Sequence, residues 1–363
     1  MNMDEGLGIS EHAIAELLVD DDSDAEYEAI EREGSLENDI FKQPPPVEKE
    51  HVYGKDVSRI ISVNEIENVT LTWENLNVYV TTRAGGKSLF RKSKNGVNGK
   101  TKQILQNVTG YAKAGTLLAI MGASGAGKST LLNCLTYRNI DKLTIDGNIK
   151  VNGQAAGPGI RSLSAYVQQN DVFIGTLKVG EHLRFQAMLR MDKEFTYKQR
   201  MQRVDESLTE LGLKKCENTL IGVPGRLKGI SGGEKKRLAF ASEVLTNPKL
   251  MFCDEPTSGL DSFMAQNVVT VLKSLANRGK TILCTIHQPS SEVYAMFDRV
   301  LLMAEGRTAY LGPKQQVHSF FGSLNYRCPQ NFNPADFYIH TLAVVPSREQ
   351  ECKLTVKKIS DAF

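Results

Sequence analysis

The stretch Gly122-Ala123-Ser124-Gly125-Ala126-Gly127-Lys128-Ser129-Thr130 constrains this chain more than any other feature. The apolar run Thr116 to Met121 precedes it and the apolar-patterned segment Leu131 to Leu135 follows, so the order reads strand, loop, helix. Glycines lack a Cβ, which lets backbone N–H groups curl around phosphate oxygens, and a helix starting near Lys128 adds a positive dipole end. In that setting Lys128 is expected to reach the β and γ phosphates, and the Ser129 hydroxyl to ligate Mg²⁺. Alone, the loop fits kinases, GTPases and motors equally well.

At 363 residues, 41% hydrophobic and 24% charged, the chain has the composition of a globular protein with ample core material. Its net charge of +2 hides an asymmetry, because residues 1–50 carry 16 acidic and only 3 basic side chains. That acidic, aromatic-poor segment closes on Pro44-Pro45-Pro46, and residues 1–60 are expected to form a disordered tail, with a short helix possible near Ala13 to Val19. The remainder is moderately basic, which suits phosphate-bearing ligands or an anionic membrane surface. Six cysteines show no metal-ligand spacing and read as reduced core thiols of a cytosolic protein. No signal peptide and no apolar run of membrane-spanning length are found, so no bilayer crossing is expected from these residues.

From Val69 to Val80 the alternation predicts a strand or bent hairpin, whose Trp73 and Tyr79 could each stack on a nucleotide base, with burial of the ring in a sheet the alternative for Trp73. The seven basic residues between Arg83 and Lys102 read as a solvated insertion, with a membrane-surface or regulatory contact as the sharper alternative. Strands are expected at Gly147 to Gly153 and Ser164 to Gln169, and a mainly helical insert over residues 176–228, where Met201, Val204, Leu208 and Leu211 share one face.

Four features then carry chemistry. Ser231-Gly232-Gly233-Glu234 is a capping box opening a helix, and its two glycines leave a bare, dipole-positive end suited to an anion. Leu250 to Cys253 is an apolar strand delivering Asp254 beside the phosphate loop for Mg²⁺, with Glu255 free to take a proton from attacking water. Two ionised side chains after a buried strand are costly unless they serve a cation. Asp261 begins a further helix, and the strand Thr281 to Ile286 ends in His287, at the sheet edge where α/β proteins bind ligands. A terminal hairpin, a smaller helical segment around Phe320 to Phe337 and a last helix to Phe363 complete the reading.

Taken in order, these motifs resemble the ATP-binding cassette of ABC transporters over roughly residues 65–345. The resemblance implies an α/β fold: a P-loop NTPase of the ABC nucleotide-binding type, with a mixed sheet core, an antiparallel β portion and a helical subdomain. It implies a cassette over residues 65–325, its helical subdomain near 176–230, and a helical linker at 326–363 leading toward a transmembrane domain expected to be missing from this chain. By the same resemblance Gly122 to Thr130 form Walker A, and Gln169, next to Gln168, is the Q-loop residue that senses Mg²⁺. Ser231, Gly232 and Gly233 form the signature loop, Asp254 and Glu255 Walker B, Asp261 the D-loop and His287 the switch. The metal would rest on Ser129, Gln169 and Asp254, and catalysis on Glu255, His287 and Lys128.

Glu234, Thr285 to Glu292 and Asn333 to Phe337 are similar to the G subfamily of half-transporters, and within it Phe173 to Gly175, Val223 to Arg226, Leu238 to Glu243 and Ala343 to Pro346 resemble the members that move eye-pigment precursors. That similarity implies ATP and Mg²⁺ as cofactors, a second cassette, identical or paralogous, as partner, and no nucleic acid. It places the assembled transporter at the cytoplasmic face of a plasma or vesicle membrane, with this chain alone soluble. Val80 stands where many cassettes have Tyr, which leaves the adenine contact unassigned. The alternative reading is a truncated or regulatory cassette that binds ATP and a partner without transport. A soluble repair or translation ATPase fits less well, because the insert is too short for a coiled coil and one cassette is present rather than two.

Overall fold

A computed structural model describes residues 68–82, 100–170 and 172–363. The expected acidic tail, its short helix and most of the basic insertion lie outside the described residues.

The order of elements is β1 (Leu71–Thr82), β2 (Lys100–Ala112), β3 (Leu117–Met121), α1 (Lys128–Thr136), β4 (Leu143–Val151), β5 (Gln154–Ala155), α2 (Ile160–Leu163) and β6 (Ser164–Val167). Then come α3 (Val179–Arg190), α4 (Tyr197–Glu210), α5 (Gly232–Val244), β7 (Leu250–Cys253), α6 (Ser262–Asn277) and β8 (Thr281–Thr285). The described chain closes with α7 (Ser291–Ala295), β9 (Arg299–Ala304), β10 (Arg307–Pro313), α8 (Val317–Ser323), α9 (Pro334–Leu342) and α10 (Glu349–Ala362).

Two sheets form, one four-stranded in the order β2-β1-β4-β5 and one six-stranded in the order β10-β9-β3-β8-β7-β6. The first is antiparallel throughout, and the second is parallel except for the β9–β10 hairpin. Strands β3, β7, β8 and β9 are buried along their whole length, as expected for parallel strands covered on both faces. Their continuous apolar runs, rather than alternation, were the sequence signature of that burial. The order places β3, β8, β7 and β6 side by side, so the segments following all four emerge at one edge of the sheet.

Between the sheets lies an apolar cluster that includes Trp73, Leu105, Ile120, Leu131 and Phe252. Trp73 is fully buried there, which removes it as a base-stacking residue and upholds the sheet-burial reading. Room for its ring comes from Gly110 on β2, where a Cβ would lie 2.6 Å from the indole. β1 is one strand, not a hairpin, and a register shift between Glu74 and Asn77 accommodates the positive φ of Asn75.

Helices α3 and α4 pack with α5 around Leu183, Val204, Leu208 and Leu211; of the predicted face Val204, Leu208 and Leu211 join this core, while Met201 is only half-buried. The expectation of helix as far as residue 228 is corrected. After a 3₁₀ turn at Lys214–Cys216 the chain runs without regular helix to Ile230, tied by bridges Lys178↔Leu220 and Val223↔Leu227. Gly222, Pro224, Gly225 and Gly229 explain the difference, since each interrupts helical backbone. At the other end, α10 packs on β10, with Arg307 paired to Asp361 at 2.6 Å and Phe363 5.7 Å from Tyr310 between ring centroids. All six cysteines are free; Cys134, Cys216, Cys253 and Cys284 are buried as expected of core thiols, whereas Cys328 and Cys352 are half-buried.

Candidate functional site

The loop between β3 and α1 is held by contacts that only glycine allows at two positions. A Cβ on Gly122, at φ 154°, would lie 2.2 Å from the Met303 carbonyl oxygen, so the loop packs directly on β9. Gly127, at φ 99°, is the N-cap of α1 and has no side chain to cap the helix, leaving first-turn N–H groups directed at the loop. Within the loop Lys128 is nearly buried, and its Nζ donates to the carbonyl oxygens of Gly122 at 2.8 Å and Ala123 at 3.1 Å. Burial lowers the Lys128 pKa, while Glu255 and Asp254 oppose that shift. An anion bound beside this ammonium would favour its charged form. Ser124 and Gly125 are exposed, Ala123 and Thr130 half-buried and Ala126 buried.

Asp254 and Glu255 leave the end of β7 on adjacent positions and are both half-buried. Asp254 Oδ1 accepts from Thr285 Oγ1 at 2.7 Å and lies 3.5 Å from Ser129 Oγ; Oδ2 lies 3.4 Å from the Tyr166 hydroxyl. Burial, then Asp254, pushes the Tyr166 phenol well above its ordinary range, so it stays a donor. Glu255 occupies a left-handed backbone conformation, φ 44°, and its N–H donates to Thr285 Oγ1 at 2.8 Å. Its Oε2 accepts from Gln169 Nε2 at 2.7 Å. The structure therefore brings Gln169 to Glu255, not into hydrogen-bond contact with Ser129 or Asp254. The Gln169 carbonyl in turn accepts from Lys236 Nζ on α5 at 2.5 Å.

Glu255 and His287 line one cavity of about 290 Å³, together with Ser258, Leu260, Ser262 and Gln288. His287 is exposed. Asp261 caps α6 by accepting from the Met264 N–H at 2.8 Å. At α5 the expected capping box closes: Ser231 Oγ accepts from Glu234 N–H at 3.3 Å and Glu234 Oε2 from Ser231 N–H at 2.8 Å. The box occupies two of the donors, so the helix end is less bare than the sequence suggests, and the Gly232 and Gly233 N–H groups lie outside it. Gly232 and Lys236 border a second cavity shared with Gln169. Among the described residues no hydrogen bond links Ser231, Gly232 or Gly233 to the phosphate loop, Asp254, Glu255 or His287.

Three contributors escaped the sequence reading of the site: Thr285, Tyr166 and Lys236. Thr285 carried a faint signal, a hydroxyl at the end of an otherwise apolar run. Nothing local marks the other two.

A glycine-capped phosphate loop, paired carboxylates after a neighbouring strand and a separate Ser-Gly-Gly helix start define an ATP-binding cassette. A family model described as ABC transporter matches residues 105–258, and one described as ABC-2 type transporter matches residues 287–361. The chain belongs to the ABC transporter family, in its G subfamily. It is 50% identical over 310 residues to Protein white of Drosophila melanogaster, covering 82% of this chain and 45% of that protein. It is 43% identical over 259 residues to ABC transporter G family member 13 of Arabidopsis thaliana, covering 69% and 38%. The chain thus spans less than half the length of these relatives. The solved structure of cbiO1 from Clostridium perfringens, part of the ABC transporter complex cbiONQ, aligns with a TM-score of 0.54 at 24% identity, covering 72% of this chain and 97% of that one, and shares the fold. Although the second family match extends over residues 287–361, no helix among the described residues is long and apolar enough to cross a membrane.

Proposed function

We propose that this chain is the ATP-hydrolysing cassette of a White-like half-transporter, powering export or organelle loading of small molecules such as pigment precursors. The observation that carries this reading is the meeting of Ser129, Asp254, Glu255 and Gln169 at one edge of the sheet. Residues 65–325 form the working cassette with its helical subdomain near 176–230, and residues 326–363 link it toward the membrane portion at the cytoplasmic face of a plasma or vesicle membrane.

The backbone of Gly122, Ala123, Ser124, Gly125, Ala126, Gly127 and the start of α1 bind the phosphates of ATP, and Lys128 adds its charge. Ser129 Oγ and Asp254 Oδ1, 3.5 Å apart, are hard oxygen donors suited to Mg²⁺, and Gln169 adjoins them through Glu255. When bound, Mg²⁺ neutralises charge on the phosphate oxygens. Glu255 faces a cavity able to hold water and takes the proton of the attacking water, while His287 across that cavity stabilises developing charge. Among the described residues Ser231, Gly232, Gly233 and Asp261 make no hydrogen bond to the phosphate loop of their own chain, which supports a role on the ATP of a second cassette paired head to tail.

The pairing is tested with the Glu255→Gln chain, which is expected to hold ATP unhydrolysed while the complex is sized. Light scattering should show a two-cassette mass in ATP and Mg²⁺ and a single-cassette mass without nucleotide. A single-cassette mass under both conditions, with ATP bound, contradicts the shared site.

A further inference from the structure

We infer that Thr285 is a positioning residue that aligns both carboxylates of the site through one hydroxyl. Thr285 ends β8 and is fully buried, and the parallel register that pairs Cys253 with Cys284 sets it level with Asp254. Its Oγ1 makes two bonds, 2.7 Å to Asp254 Oδ1 and 2.8 Å to the Glu255 N–H. Their directions are fixed by chemistry: a backbone N–H only donates and an ionised carboxylate only accepts, so the hydroxyl accepts from Glu255 and donates to Asp254.

Each bond does something that packing alone would not. The Asp254 oxygen that accepts the Thr285 hydrogen bond is the same one that lies 3.5 Å from Ser129 Oγ. With one lone pair used by Thr285, the other is left directed along the edge of the sheet toward the phosphate loop. Glu255 sits at φ 44°, a conformation disfavoured for a residue with a Cβ, and the bond from its N–H to Thr285 helps retain that turn. The turn carries the Glu255 carboxylate to Gln169 and into the cavity lined by His287. Thr285 is β-branched, so its hydroxyl has few rotamers in which to stray. Valine has nearly the same shape without the hydroxyl, and serine has the hydroxyl without the methyl.

The inference rests on the reading of Asp254 as a metal ligand and of Glu255 as the base, and its test separates the two. Fluorescent ATP binding to the full chain is titrated with Mg²⁺ and with EDTA, and the ratio of the two dissociation constants is taken for wild type, Thr285→Val, Thr285→Ser and Asp254→Asn. The account predicts that Thr285→Val loses roughly tenfold of the Mg²⁺-dependent gain, the scale of one hydrogen bond to a charged group. Thr285→Ser should keep it, with Mg²⁺-free affinity unchanged in both. In steady-state hydrolysis Thr285→Val should lower kcat more than it raises KM, and serine should restore kcat. If Thr285→Val does not fold, Thr285→Ala replaces it against the same serine control. A Mg²⁺ gain equal to wild type in the hydroxyl-free variant, or a serine variant as impaired as valine, overturns the inference. A Mg²⁺ gain unaffected by Asp254→Asn instead overturns the assignment of the metal site itself.

Discussion

Gln169 donates from Nε2 to Glu255 Oε2 at 2.7 Å, joining residues 86 positions apart in sequence. That bond ties the proposed base to the segment following β6, which Lys236 of α5 holds by its backbone carbonyl. Removal of the amide by Gln169→Ala is expected to leave ATP affinity nearly unchanged and to lower turnover roughly tenfold, since a hydrogen bond to a charged group contributes about 1.5–3 kcal/mol. Steady-state hydrolysis paired with nucleotide titration checks both halves of that expectation. A fall in affinity matching the fall in turnover would place Gln169 on the nucleotide instead of on Glu255.

The phosphate loop makes contrasting predictions for two of its glycines. Gly122→Ala drives a Cβ to within 2.2 Å of the Met303 carbonyl oxygen, whereas a Cβ on Gly125 meets nothing within 4 Å and faces only its φ of 81°. We expect Gly122→Ala to cost about 3 kcal/mol or more through overpacking and strain. Gly125→Ala should cost about 1–2 kcal/mol, the penalty for a left-handed L-residue. Urea unfolding of the two variants measures the difference, and equal losses would contradict the packing of this loop on β9.

His182 supplies a pH-dependent prediction remote from the chemistry. It lies on α3, its Nε2 3.1 Å from Ser242 Oγ on α5 and its ring edge-on to Phe173 at 5.1 Å. Burial lowers its pKa to about 4. The folded state thus keeps His182 neutral where the unfolded chain takes up a proton, and stability is lost as pH falls below about 6.5 toward 4. Between pH 7 and pH 5 the loss from this residue is about 2 kcal/mol. Urea unfolding at both pH values should show His182→Gln losing less stability than wild type by that amount. A parallel decline in the two proteins would contradict it.

Much of this architecture was legible because its signals are local. The phosphate loop and the Asp254-Glu255 pair each follow an apolar strand, the Ser231 capping box opens a helix, and the structure places all three at those element ends. The Gln169–Glu255 bond was not legible, because it depends on β6 and β7 lying parallel with Val167 level with Cys253. No spacing within either segment encodes that register. The role of Thr285 was no more than faintly legible for the same reason, its partners lying 30 and 31 residues earlier, just past the end of the neighbouring strand. Trp73 supported two readings until the neighbouring strand was in view: β2 offers Gly110 where a larger residue would have displaced the ring. Over residues 217–228 the expected helix does not form, because the glycines and the proline there favour other backbone conformations.

If Glu255 activates water for ATP hydrolysis, as proposed above, Glu255→Gln removes that step and little else. Glutamine preserves shape and the approach of Gln169 but cannot accept a proton. The account predicts ATP affinity within a small factor of wild type and steady-state turnover lower by roughly 10²-fold or more, the scale of a general base. Turnover equal to wild type, measured on the same preparation with ATP saturating, would contradict it.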